Sequence, residues 1–202
     1  MSKNRSVLYF SLVALAALAF GFIVSRQFAT PAEPLEAGTR LPQPRELAAF
    51  SLTDHLGASF TNARLQGEPH LVFFGFTHCP DVCPTTLALL AQLARDPAAH
   101  TPATLFVTVD PERDDLLTLH RYVDAFDGHF IGLRGEDAQL EPLLQSLGVV
   151  RAIQRTPDGL YTVDHSATLF YLDGQGRLAA VFTPPFSLPK LRADLTRLAA
   201  AG

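Results

Sequence analysis

The sequence predicts an α/β domain, built as a mixed sheet with helices on both faces and preceded by one N-terminal transmembrane helix. Two apolar runs of strand length, Leu71 to Phe76 and Thr104 to Val109, alternate with stretches of helical period, Thr85 to Arg95 and Pro111 to Phe126. Strand-turn-strand patterns sit at both ends of that alternation, so part of the sheet is antiparallel. A long uncharged run lies near the N-terminus. With 202 residues and 48% hydrophobic content, the chain suits one domain plus an appendage.

Residues 1–6 carry Lys3 and Arg5, which the positive-inside rule keeps in the cytoplasm, sending the body across the membrane. Residues 7–24 (Val7 to Val24) form 18 uncharged positions, enough for roughly 27 Å of helix, close to a hydrocarbon core. A cleaved signal peptide is the rival reading, but Val24-Ser25-Arg26-Gln27-Phe28-Ala29 places arginine where a small residue is needed, so the uncleaved anchor is preferred. No cysteine follows the run for lipoprotein processing. Residues 25–44 read as a linker, with four prolines between Thr30 and Pro44 and no apolar periodicity. The folded domain is expected over 45–202.

Within it, Leu47 to Leu52 and Ala58 to Thr61 flank a turn and read as a hairpin. Leu71 to Phe76 has the continuous apolarity of a strand covered on both faces. Thr85 to Arg95 is a helix with Leu87, Leu90 and Leu93 on one face, stopped at Asp96-Pro97. Thr104 to Val109 is a second buried strand, Pro111 to Phe126 a helix, Phe130 to Leu133 a short strand and Glu136 to Leu147 a third helix. Gly148 to Ser166 is either a long loop or a small projecting hairpin, and such insertions tend to carry function. Thr168 to Leu172 and Leu178 to Phe182 flank Asp173-Gly174-Gln175-Gly176 as a hairpin, and Leu188 to Ala201 closes the chain as a helix.

Formal charge is −4, and the first 26 residues hold three basic groups and no acid, which leaves 13 basic against 20 acidic groups in the rest. An acidic body without a basic patch excludes nucleic acid as the expected partner.

The two cysteines, Cys79 and Cys83, share one turn after the first buried strand, and each is followed by proline. Such a pair can form a structural disulfide, exchange electrons as a dithiol, or hold a soft metal ion. Pro84 suits the first helical position, which puts Cys83 at the N-cap and Cys79 in the preceding turn. The helix dipole then stabilises a thiolate, so both sulfurs are expected to have low pKa values and partial exposure. A thioredoxin-type dithiol has two intervening residues, whereas Pro80, Asp81 and Val82 make three here. The wider bite suits two sulfurs around one ion, and a disulfide stays open if the turn tightens. Two thiolates suit Cu(I) or Zn(II). Structural zinc wants four ligands and there is no second cysteine pair, so a Cys2His site matches copper better.

Three blocks make the sequence recognisable: Gly75-Phe76-Thr77-x-Cys79-Pro80-Asp81-x-Cys83-Pro84, Val107-Thr108-Val109-Asp110-Pro111-Glu112-Arg113-Asp114, and Tyr161-Thr162-Val163-Asp164-His165-Ser166. In this order, over roughly Phe50 to Leu198, they resemble the Sco/SenC family of membrane-anchored copper proteins. The resemblance implies a thioredoxin-like fold and one copper ion, Cu(I) or Cu(II), per domain. Its ligands, carried over residue by residue, are Cys79, Cys83 and His165. The implied role is in building the copper A centre of cytochrome c oxidase, by delivering copper or by reducing the cysteines that receive it. The implied partner is the oxidase copper A subunit, with other periplasmic copper chaperones or thioredoxin-like proteins beside it. The expected location is the bacterial inner membrane, single-pass, with the domain in the periplasm. The alternative is the mitochondrial inner membrane facing the intermembrane space.

In thioredoxin-like folds the residue facing the dithiol is usually a cis-proline, and His165-Ser166-Ala167 contains none, so His165 is free to point at the sulfurs. Asp164 is a candidate to orient it, against the alternation of strand side chains. His78 is weighed as a fourth ligand, with a solvent-facing histidine the preferred reading. Asp110 to Asp114 reads equally as a partner-facing acidic loop or as a helix N-cap at Asp110. Two look-alikes are set aside. Gly174-x-Gly176-x-x-Ala179 lies in a hairpin turn rather than before a helix, and Asp164-His165-Ser166 is too short a stretch to form a catalytic triad. His55, His70, His100, His120 and His129 have no ligand spacing and are assigned to the surface. The first reading is thus a metallochaperone rather than an enzyme. A thiol-disulfide reductase using Cys79 and Cys83 is the alternative, and a redox or metal sensor is a third.

Overall fold

The computed structural model describes residues 13–15, 17–18, 20, 33–96, 100–155 and 161–201. The chain divides into two compact units, Met1–Glu33 and Pro34–Gly202. In the first, the described residues from 13 to 20 are helical, and most of the expected span 7–24 lies outside the described residues. Among the described residues no helix is long and apolar enough to cross a membrane.

The second unit is the α/β domain. Its elements are β1 (Gly38–Arg45), β2 (Ser51–Asp54), β3 (Ser59–Thr61), a 3-10 turn (Asn62–Leu65), β4 (His70–Gly75), α1 (Val82–Ala94), β5 (Ala103–Thr108), α2 (Leu116–Asp124), β6 (Ile131–Arg134), α3 (Asp137–Leu147), β7 (Arg151–Arg155), β8 (Tyr161–His165), β9 (Leu169–Leu172), β10 (Leu178–Phe182) and α4 (Leu188–Ala201). The main sheet has eight strands in the order β1-β10-β9-β4-β5-β6-β2-β3, and β7 and β8 form a separate pair. β4, β5 and β6 are parallel to one another, while β9 lies antiparallel on β4 and β2 antiparallel on β6, which makes the sheet mixed. Every residue of β4 is buried. Because successive strand side chains point to opposite faces, both faces of the sheet are covered at its centre. Phe73, Phe74 and Phe106 fill that centre at 0% exposure.

The sheet begins earlier than the sequence suggested. Gly38 to Pro44, assigned to the proline-rich linker, forms edge strand β1 together with Arg45, pairing Gly38 with Phe182 and Arg40 with Ala180. The register is irregular between Arg40 and Arg45, the stretch that holds Pro42 and Pro44. At an edge a missing N–H costs little, so proline composition there does not mean linker. The entry to β1 is fixed by Asp194 on α4, which is fully buried and accepts hydrogen bonds from the backbone N–H groups of Glu36 (2.7 Å), Ala37 (2.7 Å) and Gly38 (3.1 Å). Arg197 bonds the same carboxylate at 3.1 Å and pairs with Glu36 at 2.8 Å.

α2 starts five residues later than expected, at Leu116, because Asp115 rather than Asp110 caps it, accepting from the Thr118 N–H at 2.7 Å. That frees Asp110 to Asp114 as a loop. Of the two readings of Gly148 to Ser166, the projecting hairpin is the one observed, with Arg151 opposite His165 and Arg155 opposite Tyr161. His70 is not on the surface: it opens β4 at 2% exposure, and His55 and His120 are half-buried with their rings stacked 5.0 Å apart.

Removing the Asp194 carboxylate strands three backbone donors, so Asp194→Ala should cost about 3 kcal/mol in urea unfolding. Burial first of all lowers the pKa of His55 and His70 from their ordinary 6.5. The folded state then binds fewer protons than the unfolded one, so stability present above that value is lost as pH falls through the folded values. Urea midpoints should drop between about pH 7.5 and pH 5.5, and His70→Leu should shrink the drop.

Candidate metal centre

The centre lies where the parallel strands β4 and β5 end. α1 begins at Val82 with Asp81 at the N-cap, so Cys83 is the second helical residue and Pro84 the third. The sequence reading placed the cap two residues later. Proline is tolerated throughout a first turn whose N–H groups have no helical partner, so Pro84 alone does not fix the start. Both cysteines are free, and both are buried, Cys79 at 9% and Cys83 at 0% exposure. The expectation of partial exposure is therefore corrected for both sulfurs, and that of a low pKa for Cys83. Its burial, followed by the hydrogen bond to Cys79, pushes its thiol well above the ordinary 9.0. Burial outweighs the helix dipole because the sulfur sits beneath α1 rather than beyond its tip. Gly75 makes that seat possible, since a Cβ there would fall 2.9 Å from Cys83 Sγ and 2.6 Å from the Phe106 ring.

The loop between β4 and Cys79 is held by Asp114, itself 0% exposed. Its carboxylate accepts from the Thr77 N–H (3.0 Å), the Thr77 hydroxyl (2.6 Å) and the Thr108 hydroxyl (2.6 Å). His78 is half-exposed and turns its Nδ1 towards Thr77 Oγ1 (3.1 Å) and Asp114 (3.8 Å), which accords with the solvent-facing reading and not with a fourth ligand.

His165 ends β8, and its Nε2 stands 3.7 Å from Cys83 Sγ. Nδ1 lies 3.0 Å from the Ser166 carbonyl. A carbonyl can only accept, so Nδ1 carries the proton and Nε2 keeps its lone pair towards the sulfur. The ring is edge-on to Phe73 (6.5 Å) and Phe76 (5.9 Å). This burial lowers the His165 pKa, with the Ser166 carbonyl and Asp164 pulling the other way, so the imidazole is held in its neutral, ligand-competent form. Asp164 is exposed on the opposite face of β8, and the Ser166 carbonyl orients the ring instead.

Sequence reasoning left undecided what Asp110 does, and the structure supplies neither of the two answers offered. Asp110 is 3% exposed; its carboxylate pairs with Arg113 and accepts the Tyr161 hydroxyl at 2.8 Å. Arg113 lies over the Tyr161 ring at 3.9 Å and over the Phe76 ring at 5.7 Å, and donates to the Tyr161 carbonyl at 3.2 Å. Burial, followed by the bond to Asp110, pushes the Tyr161 phenol up to about 12, so it stays a donor. Arg151 ties the other strand of the hairpin to Asp137 and to the Val109 carbonyl. The sequence signal for Asp110, Arg113 and Tyr161 is their presence in the recognised blocks, and Arg151 and Asp137 lie in none of them.

Two sulfurs and one imidazole nitrogen are soft and borderline donors. Among the described residues no three His, Cys, Asp or Glu groups are already arranged as a metal cluster. Donors of these kinds bond metals at about 2.0–2.3 Å, so the Cys83 to His165 gap of 3.7 Å is one a single ion could bridge.

Comparison with known proteins gives one consistent picture. The family model described as SCO1/SenC matches residues 39–200. The chain is 37% identical over 152 residues to the mitochondrial protein SCO2 homolog of Bos taurus, covering 73% of this chain and 56% of that protein. It is 34% identical over 161 residues to a putative copper-binding protein of Stutzerimonas stutzeri, covering 78% and 79% respectively. The chain thus spans little more than half the length of the bovine relative. The structure of Bradyrhizobium japonicum ScoI with copper bound superimposes with a TM-score of 0.67 at 38% identity, covering 75% of this chain and 98% of that one.

Gly75→Ala should force Cys83 off its seat, costing about 1–3 kcal/mol of stability as overpacked cores do. Cys83 should then react faster with a thiol reagent in the folded protein, and an unchanged rate would contradict the steric role given to Gly75.

Proposed function

Since the chain belongs to the SCO1/SenC family, we propose that it binds one copper ion as cargo through Cys79, Cys83 and His165. On this reading it passes the ion to the copper A subunit of cytochrome c oxidase. The observation that carries the reading is the lone pair of His165 Nε2 facing Cys83 Sγ at 3.7 Å, beside a second free thiol. A dithiol reductase has no use for a neutral imidazole fixed in that tautomer. The copper-bound relative at 38% identity supports the choice of metal.

The residues then have separate tasks. Asp114 fixes the loop that carries Cys79, and Gly75 leaves room for Cys83. The Ser166 carbonyl holds the imidazole tautomer. Copper binding displaces the thiol protons, which burial otherwise keeps in place on Cys83. Cys79 is the less buried sulfur, so an incoming ligand from a recipient meets the ion from its side.

The chain's expected position follows from the 7–24 segment: a single-pass inner-membrane anchor with the domain in the periplasm, or the equivalent mitochondrial arrangement. A second reading, reduction of the recipient's copper-site cysteines, draws on the two free thiols lying side by side. Burial of Cys83 counts against it, because a thiol kept protonated is a poor attacking group.

An anaerobic Cu(I) titration of the reduced full chain against a competing chelator tests the proposal. One equivalent should bind tightly, and His165→Ala should bind about 10-fold or more weakly, as expected for loss of one of three ligands. Absence of tight binding by the parent, with both thiols free, would transfer the case to the reductase.

A further inference from the structure

Resting on the assignment of Cys79, Cys83 and His165 as copper ligands, we propose that Arg113 is a positioning residue for the histidine ligand. It sets how far His165 reaches towards the sulfurs. The hairpin that carries His165 is not part of the eight-stranded sheet. Apart from the short link through Ser166, Ala167 and Thr168 into β9, its place over the centre therefore depends on side-chain contacts rather than on a backbone ladder. Tyr161, Val163 and His165 share one face of β8, by the two-residue period of a strand. Val163 between them is buried at 3%. Fixing Tyr161 at one end of that face fixes His165 at the other.

Arg113 is the group that fixes the Tyr161 end, while Arg151, opposite His165, ties β7 to Asp137 and the Val109 carbonyl without touching the cysteine side. Its guanidinium lies over Tyr161 at 3.9 Å on the hairpin side and over Phe76 at 5.7 Å on the cysteine side. Phe76 in turn meets the His165 ring edge-on at 5.9 Å. One Arg113 nitrogen donates to the Tyr161 carbonyl at 3.2 Å, and another pairs with Asp110, which also takes the Tyr161 hydroxyl at 2.8 Å. The planar cation thus touches both ligand-bearing elements and neither ligand. Arg155 also lies over Tyr161, at 5.2 Å, from the hairpin itself, so it cannot tie the hairpin to the domain. Lysine could keep the charge opposite Asp110 but could not stack and donate sideways together.

A position-dependent role differs from general stabilisation in one respect: it disappears when the histidine is gone. The test is a double-mutant cycle on the reduced full chain, with Cu(I) competition for affinity and nitrogen splitting in the Cu(II) electron paramagnetic resonance spectrum as the ligand signature. Arg113→Ala should weaken Cu(I) binding by about 10- to 100-fold, the range for groups that orient a metal ligand, and reduce the nitrogen splitting. Arg113→Lys should restore little of either. In the His165→Ala background, Arg113→Ala should change affinity less than about twofold, as a fully coupled pair requires. Tyr161→Phe, which loses the hydroxyl's bonds to Asp110 and Glu112 but keeps the ring under Arg113, should give a smaller loss in the same direction and serves if Arg113→Ala fails to fold. Equal weakening by Arg113→Ala with and without His165 would overturn the positioning role. So would an unchanged affinity in Arg113→Ala, or in Tyr161→Phe where the alanine variant does not fold. If His165→Ala itself binds Cu(I) as tightly as the parent, the ligand assignment fails first, and the proposal fails with it.

Discussion

The carboxylate of Asp114 is the interaction on which the centre rests. It is shut away from water and satisfied by three donors, two from Thr77 and one from Thr108. These residues lie just past the end of β4 and at the end of β5, so the contact joins the two parallel strands where their ladder stops. A buried carboxylate left with fewer donors would be costly, so the loop that carries Cys79 has little freedom to move. The same short segment, Asp110 to Asp114, also meets the hairpin, through Asp110 at its other end and Arg113 beside Asp114. One stretch of chain after β5 thereby addresses both the thiol side and the imidazole side.

The legible part of this arrangement was the part governed by local periodicity. The apolar runs fixed β4 and β5, the helical spacing fixed α1 and α3, and Leu188 to Ala201 emerged as α4 with those same limits. The recognised blocks point to Cys79, Cys83 and His165, and the structure brings Cys83 and His165 within 3.7 Å. What escaped depends on contacts distant in sequence. β1 reads as linker because its prolines are punctuation in any local window, yet its partner β10 lies about 140 residues away, and an edge accepts proline. Burial of Cys83 could not be read from a helix N-terminus, because it follows from the missing side chain of Gly75 and the Phe106 ring beneath. The late start of α2 turned on which of three nearby aspartates caps it, and the other two were already engaged by Tyr161 and by Thr77.

Burial gives the two sulfurs a character different from that of an exposed redox pair. A dry environment disfavours a bare thiolate, yet a soft cation arriving between two sulfurs and a neutral imidazole brings the compensating charge with it. The His165 ring is kept neutral by burial in the same pocket that raises the Cys83 thiol. Both shifts therefore have one cause and act in one direction: each favours the uncharged form of its own group.

The carboxylate of Asp194 has a mechanical consequence. Three successive backbone groups, Glu36 to Gly38, are fastened to α4 just ahead of β1, and Arg197 adds an ion pair to Glu36. A pull arriving along the chain from residues before Glu36 meets this clamp first and loads several bonds together in shear. Without it, the same pull would peel β1 from β10 one bond at a time, starting at the Gly38 and Phe182 pair. The domain can thus bear tension from its N-terminal side through a helix, leaving the edge of the sheet and the centre at its middle strands unloaded.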